Sequence, residues 1–131
     1  MKRRSYLSAM LAGLAGIRAA SAQKATNPIL LYCDLAFDAA KEQEMLRHFH
    51  NIFKPAAEKF PGYVDVKMLK LRTAYQGSAP AGINYRFQLT YESEELRQQW
   101  IKSDVHQRVW PPIENMLTNK ATYPVLLFDS V

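Results

Sequence analysis

The sequence predicts one α+β domain with elements in the order β-α-β-β-α-β, and three observations predict it. Tyr63 to Arg72 and Ile83 to Tyr91 alternate apolar and polar residues, the period of two that a half-buried strand requires. Met45 to Phe60 and Leu96 to Leu117 repeat apolar residues at three- and four-residue steps, as a helix with one buried face does. Ile29 to Phe37 and Val125 to Phe128 are short runs that are apolar on both faces. A chain of 131 residues with 48% apolar content holds one such domain, with little room for a second, and is not a disordered chain.

Each element has its own signals. Ile29, Leu31, Cys33, Leu35 and Phe37 share one face of the first strand, and Asp38 is placed to cap the helix that follows. Pro55, inside the pattern of that helix, predicts a kink or a fresh turn, and Phe60-Pro61-Gly62 ends it. In the second strand Val64, Val66 and Met68 give way to Leu69 and Leu71, a change of phase that predicts a bulge. Gln76 to Gly82 reads as a loop. Ser93 caps the second helix with Glu94 and Glu95 in its first turn. That helix restarts near Ser103-Asp104 and bends or restarts again at Pro111-Pro112.

This order is the split βαβ arrangement of ferredoxin-like domains, a four-stranded antiparallel sheet with two helices on one face. Two helices cover only one face of that sheet, while the first and last strands are apolar on both. A second copy of the sheet supplies the missing cover, so a homodimer is expected.

The net charge of +5 comes mostly from the beginning of the chain. Lys2, Arg3, Arg4 and Arg18 lie within residues 1–22, which contain no acid. The remainder holds 13 basic and 12 acidic residues, and a nucleic-acid partner loses its support. Residues 1–22 have the parts of an export signal: a basic start, an apolar stretch from Tyr6 to Ile17, and Ala20-Ser21-Ala22 before Gln23. Arg3-Arg4-Ser5-Tyr6-Leu7 resembles the twin-arginine motif, and ordinary secretion or an uncleaved anchor are the other readings. The expected mature domain is residues 23–131, periplasmic or extracellular and off the membrane after cleavage. The single Cys33 excludes an internal disulfide and suits folding in a reducing compartment before export.

Tyr91-Glu92-Ser93-Glu94-Glu95-Leu96, followed by Trp100 to His106 and Val109-Trp110, resembles the dimeric α+β barrel superfamily. Within it the likeness is to antibiotic-biosynthesis-monooxygenase-type domains, where a strand ends in an aromatic plus Glu-Ser and the next helix carries a Ser-x-x-His step. The resemblance implies a barrel of two sheets. Its activities range over cofactor-free oxygenation of quinols or phenols, haem degradation, isomerisation, and no known reaction. Haem-degrading relatives carry an Asn on the first strand, a Trp on the second helix and a His about three turns later. Trp100 matches that tryptophan, but Trp110 stands at the ligand position and Cys33 or Asp34 at the strand position. Haem binding therefore requires His106 to substitute one turn earlier.

His106, in the Ser-x-x-His step, is the candidate base, since an imidazole titrates near neutrality. The competing reading is a half-buried helix histidine bonded to a carbonyl. Trp100 and Trp110 lie ten residues apart, near three helical turns, and read as walls of an aromatic pocket or as core anchors. Asp34 and Arg86 are expected to meet on one face of the sheet, flanked by Tyr32, Asn84 and Gln88. They form either a polar site, with Arg86 as anion stabiliser, or a structural pair at a dimer interface. His48 and His50 point to different helix faces and cannot share a metal. No metal site is expected, and no P-loop, GxGxxG, HExxH or GxSxG pattern occurs. The expected function is oxygenation of a small phenolic or quinol-like molecule without a bound metal. The alternative is a non-catalytic carrier of a small aromatic or of haem.

Overall fold

A computed structural model describes residues 27–131, and the leader reading on residues 1–22 lies outside the described residues. The strands are β1 (Ile29–Leu35), β2 (Tyr63–Lys70), β3 (Tyr85–Tyr91) and β4 (Val125–Asp129). They form one sheet in the order β2-β3-β1-β4, and every neighbouring pair is antiparallel. This is the ferredoxin-like α+β fold that the alternation predicts. Ile29, Leu31, Cys33 and Leu35 of β1 and Tyr85, Phe87, Leu89 and Tyr91 of β3 are buried, so the odd-numbered residues of both central strands face the core.

The first helical segment comprises a 3-10 turn (Ala39–Lys41), α1 (Glu42–His48), a π-helical turn (Phe49–Phe53) and α2 (Lys54–Glu58). Its buried residues are Met45, Phe49, Phe53 and Ala57, a strict four-residue repeat. On a regular α-helix, four residues overshoot one full turn by about 40°, and such a stripe winds off the core. The wider π turn unwinds the helix between Phe49 and Phe53 and brings the stripe back. Pro55 is the second residue of α2, directly after the π turn, whose altered hydrogen-bond spacing accompanies the N–H that proline lacks.

The second segment is broken twice, into α3 (Glu94–Lys102), α4 (Asp104–Val109) and α5 (Pro111–Glu114). Ser93 caps α3 by accepting a hydrogen bond from the Leu96 N–H at 3.2 Å. Ser103 serves both sides of the first break. Its hydroxyl donates to the Trp100 carbonyl at 2.7 Å and accepts from the His106 N–H at 3.1 Å.

Two local expectations are corrected. Asp38 is extended, but its side chain makes no cap bond; its backbone carbonyl accepts from the Lys41 N–H at 2.9 Å and starts the 3-10 turn. The bulge of β2 lies between Tyr63 and Asp65, not at the change of phase after Met68, where the pairs Met68–Phe87 and Leu69–Arg86 stay in register. Leu69, within that regular ladder, and Leu71, just past the end of β2, are simply exposed leucines.

Gly62 closes the turn before β2 with φ +92°, and its carbonyl accepts from the Glu92 N–H at 2.8 Å. A Cβ there would lie 2.7 Å from Cβ and 2.8 Å from Cδ1 of Leu96. Left-handed backbone and overpacking each cost about 1–3 kcal/mol. Gly62→Ala should therefore lower unfolding free energy by roughly 2–4 kcal/mol in a urea titration; an unchanged midpoint would show that the turn relaxes freely.

Candidate functional site

A cavity of about 330 Å³ lies between the core face of the sheet and the second helical segment. β1 and β3 floor it with Leu31, Cys33, Phe87 and Leu89, and Phe53 reaches it from the π turn. The helical side contributes Arg97, Trp100, His106, Trp110 and Glu114, and Tyr123 joins them from the approach to β4.

The double break of the second helix builds this wall. With Ser103 capping both sides, the chain turns and His106 folds back beside Trp100, ring centroids 5.2 Å apart and nearly perpendicular. Trp110 stacks on the other side of the imidazole at 6.5 Å with 21° between planes. Both indoles are buried and also pack on Phe53, at 5.9 Å from Trp100 and 5.8 Å from Trp110. Both indoles are therefore core anchors, and both line the cavity.

His106 does not make the carbonyl hydrogen bond of the competing reading. Its Nδ1 is buried with no partner, and neither ring nitrogen bonds another described residue. Burial holds its pKa below the usual histidine value; the Glu114 carboxylate opposes that shift and the Arg97 guanidinium reinforces it. The shift favours the neutral ring, and its proton-accepting capacity is not committed to another described residue.

Tyr123, Glu114 and Trp110 are tied together. The Tyr123 hydroxyl donates to Glu114 Oε2 at 2.6 Å, and Trp110 Nε1 approaches the Tyr123 oxygen at 3.4 Å. Burial, with the Glu114 bond, pushes the Tyr123 phenol up to about 12, so it remains a donor. Among the described residues no group of three or more His, Cys, Asp or Glu side chains could hold a metal ion. His48 donates through Nε2 to the Val109 carbonyl at 2.8 Å, which ties α1 to α4.

The remaining predicted site residues lie elsewhere. Asp34 and Arg86 do meet, as a fork with Nε to Oδ1 at 2.7 Å and Nη2 to Oδ2 at 3.1 Å, and Arg86 lies 5.0 Å over the Tyr32 ring. This group occupies the outer face of the sheet because residues 32, 34 and 86 have the opposite parity to Cys33 and Phe87. Arg86 therefore does not join His106, and its expected role as anion stabiliser beside that base is corrected. Asn84 is occupied in clamping Phe37: its Oδ1 accepts from the Phe37 N–H at 2.9 Å and its Nδ2 donates to the Phe37 carbonyl at 2.8 Å.

Sequence reasoning missed Arg97, Glu114, Tyr123 and Phe53. Arg97 lies three residues before Trp100 and Glu114 four after Trp110, so helical spacing from either tryptophan would have found both.

The fold is shared with solved structures. A Bordetella bronchiseptica protein named a "putative antibiotic biosynthesis monooxygenase" superimposes with a TM-score of 0.63 at 12% identity, over 81% of this chain and 99% of that one. A dimeric ferredoxin-like protein of unknown function from Jannaschia sp. CCS1 gives 0.62 at 18% identity, over 78% and 96%. A Bacteroides thetaiotaomicron protein of unknown function, described as a possible oxidoreductase, gives 0.54 at 8% identity, over 79% and 95%. At such identities the likeness establishes the fold and not the reaction. No protein-family model and no curated protein matches the chain.

Cys33 lies on the cavity floor, and burial, followed by the charge of Asp34, pushes its thiol up to about 12. The thiolate is the reactive form. Iodoacetamide at pH 8 should leave native protein unlabelled over hours and label it promptly in guanidinium chloride, as read by intact mass; fast native labelling would place a thiolate in the cavity.

Proposed function

We propose that this protein takes a small phenolic or quinol-like aromatic into the His106 cavity and oxygenates it. The observation that carries the reading is a half-buried imidazole, its Nδ1 buried, whose nitrogens bond no other described residue, set between two indole walls. Flat walls suit a flat ring, and the volume, at the small end of ligand sites, suits one or two fused rings. His106 takes the phenolic proton, leaving an electron-rich phenolate. Dioxygen, as oxidant, adds to the ring; one oxygen atom stays as the new carbonyl and the other leaves as water. The balance is phenol plus O₂ giving quinone plus water, with the substrate supplying all the electrons. The fold neighbours described as a monooxygenase and a possible oxidoreductase support this class of chemistry.

A haem is the poorer occupant. Three turns beyond Trp100 the chain offers the Trp110 indole, which has no lone pair for iron, and the cavity is small for a four-pyrrole macrocycle. A non-catalytic carrier of a small aromatic remains as a second reading, favoured by one observation: no described carboxylate or hydroxyl bonds His106 to lead its proton away.

The same proposal makes the protein an exported homodimer. Val125 and Phe128 of the edge strand β4 are 52% and 50% exposed, and Leu126 and Leu127 lie between them, so a cover is required. The dimeric ferredoxin-like neighbours from Jannaschia and Thermobifida fusca support a second copy as that cover. The Arg3-Arg4 start and Ala20-Ser21-Ala22 support export by the twin-arginine route. Exported protein should begin at Gln23 on N-terminal sequencing and sediment as a dimer at micromolar concentration; a stable monomer would remove the dimer.

Catalysis is tested at His106. The base must be neutral, and its pKa is held below the ordinary value of about 6.5. Oxygen uptake with a quinol panel should therefore be flat above that pH and fall only in more acid solution. His106→Gln should reduce turnover by about 10²–10⁴-fold with little change in melting temperature. Full turnover in that variant would remove His106 as the base, and binding of the quinols by the wild-type protein without oxygen uptake would leave the carrier reading.

A further inference from the structure

We infer that Arg97 is the specificity-determining cation of the cavity, selecting hydroxylated aromatics that carry a second, anionic oxygen group such as a carboxylate. The inference rests on the aromatic-cavity reading above and adds the ligand's charge to it.

Arg97 belongs to α3 and lines the cavity with Trp100 and His106, yet only 11% of its side chain is exposed. A guanidinium has five N–H donors. Two are used on Glu94, Nε to Oε1 at 2.7 Å and Nη2 to Oε2 at 2.8 Å. The Nη1 donors take no partner among the described residues. These donors are not sealed from solvent, so in the empty cavity water can accept from them, and an anionic ligand group can take that water's place.

Glu94 does not cancel this charge within the cavity. It is 38% exposed and also accepts from Gln98 Nε2 at 2.6 Å, so its charge is shared with solvent and a second donor. Its two bonds hold the planar fork in one orientation, which preorganises the remaining face for an oxyanion. Glu114, the cavity's anion, comes from α5 and has one oxygen bound by Tyr123. The ligand's anionic group is thereby directed to the α3 side, its ring to the indoles and its hydroxyl to His106.

The test uses 1-hydroxy-2-naphthoate and 1-naphthol, which differ by one carboxylate. The readout is quenching of the chain's two tryptophans, both of them cavity walls. The wild-type protein should bind the hydroxynaphthoate at least about tenfold more tightly, as a charge-assisted bond to a mostly buried guanidinium provides. Arg97→Gln should abolish that preference while leaving 1-naphthol affinity within about twofold. Arg97→Met, which keeps the packing of the aliphatic stem, decides the matter where the glutamine variant does not fold. His106→Gln should keep the preference, which separates anchoring from proton transfer. Equal affinity for the two probes, or a preference that survives loss of the guanidinium, overturns the inference alone. Failure of the wild-type protein to bind either probe overturns the inference together with the aromatic-cavity reading.

Discussion

The contact on which the rest of the structure depends is the aromatic cluster between sheet and helices. Phe87 of β3 meets Trp110 at 5.0 Å and Phe53 at 5.4 Å, and Phe53 in turn meets Trp100 at 5.9 Å. Offset and edge-on contacts of this kind contribute about 0.5–1.5 kcal/mol each beyond the area they bury. Their greater consequence is geometric. Four rigid rings stand as spacers and leave a space beside themselves that no flexible side chain fills. A leucine core of the same volume would relax toward any gap; rings in fixed rotamers do so less.

The helix that carries two of those rings must bend to use both. Ser103 allows the bend because one hydroxyl ends α3 and begins α4, satisfying a carbonyl and an N–H that the break would otherwise leave unpaired. The Pro111-Pro112 restart supplies the second bend, and the Glu114 N–H still bonds the Trp110 carbonyl at 3.1 Å. His106 sits between the two breaks, which is why its ring lies against both indoles. The placement follows from capping chemistry, and partial burial then favours the neutral form of the imidazole.

Strand alternation explains both what the sequence revealed and what it hid. The strands, the order of elements and the two helix breaks were legible because alternation, serine caps and proline each leave a local mark. The meeting of Asp34 with Arg86 was legible too, since an antiparallel pairing of β1 with β3 brings them opposite. That Arg86 lies on the far side from His106 also follows from parity, once Phe87 is assigned to the core. Arg97 was hidden for a different reason. Glu94 and Arg97 read as an ordinary surface pair three residues apart, and only the packed structure shows one partner largely buried and the other in water. The bulge was misplaced because a change of apolar phase signals either an inserted residue or a sheet with two apolar faces, and here it was the second.

Those two faces carry different kinds of polarity. On the outer face, Arg86 is half exposed and its fork is closed on Asp34, so its donors toward the carboxylate are already used. On the inner face, Arg97 makes the same two-bond fork to Glu94 but is only 11% exposed, and the buried Nδ1 of His106 has no partner among the described residues. A polar group paired within the protein stabilises structure and offers little to a ligand. One that is buried and unpaired raises the energy of the empty state, and that cost is recovered only when a ligand supplies the partner. The His106 Nδ1 and the incompletely bonded Arg97 lie around one cavity beside the indole walls, while the other buried unpaired atom, the Tyr91 hydroxyl, lies outside its lining. That difference in burial, more than the resemblance of the fold to any neighbour, is the physical argument for the proposal that the inner face takes a ligand and the outer face an assembly partner.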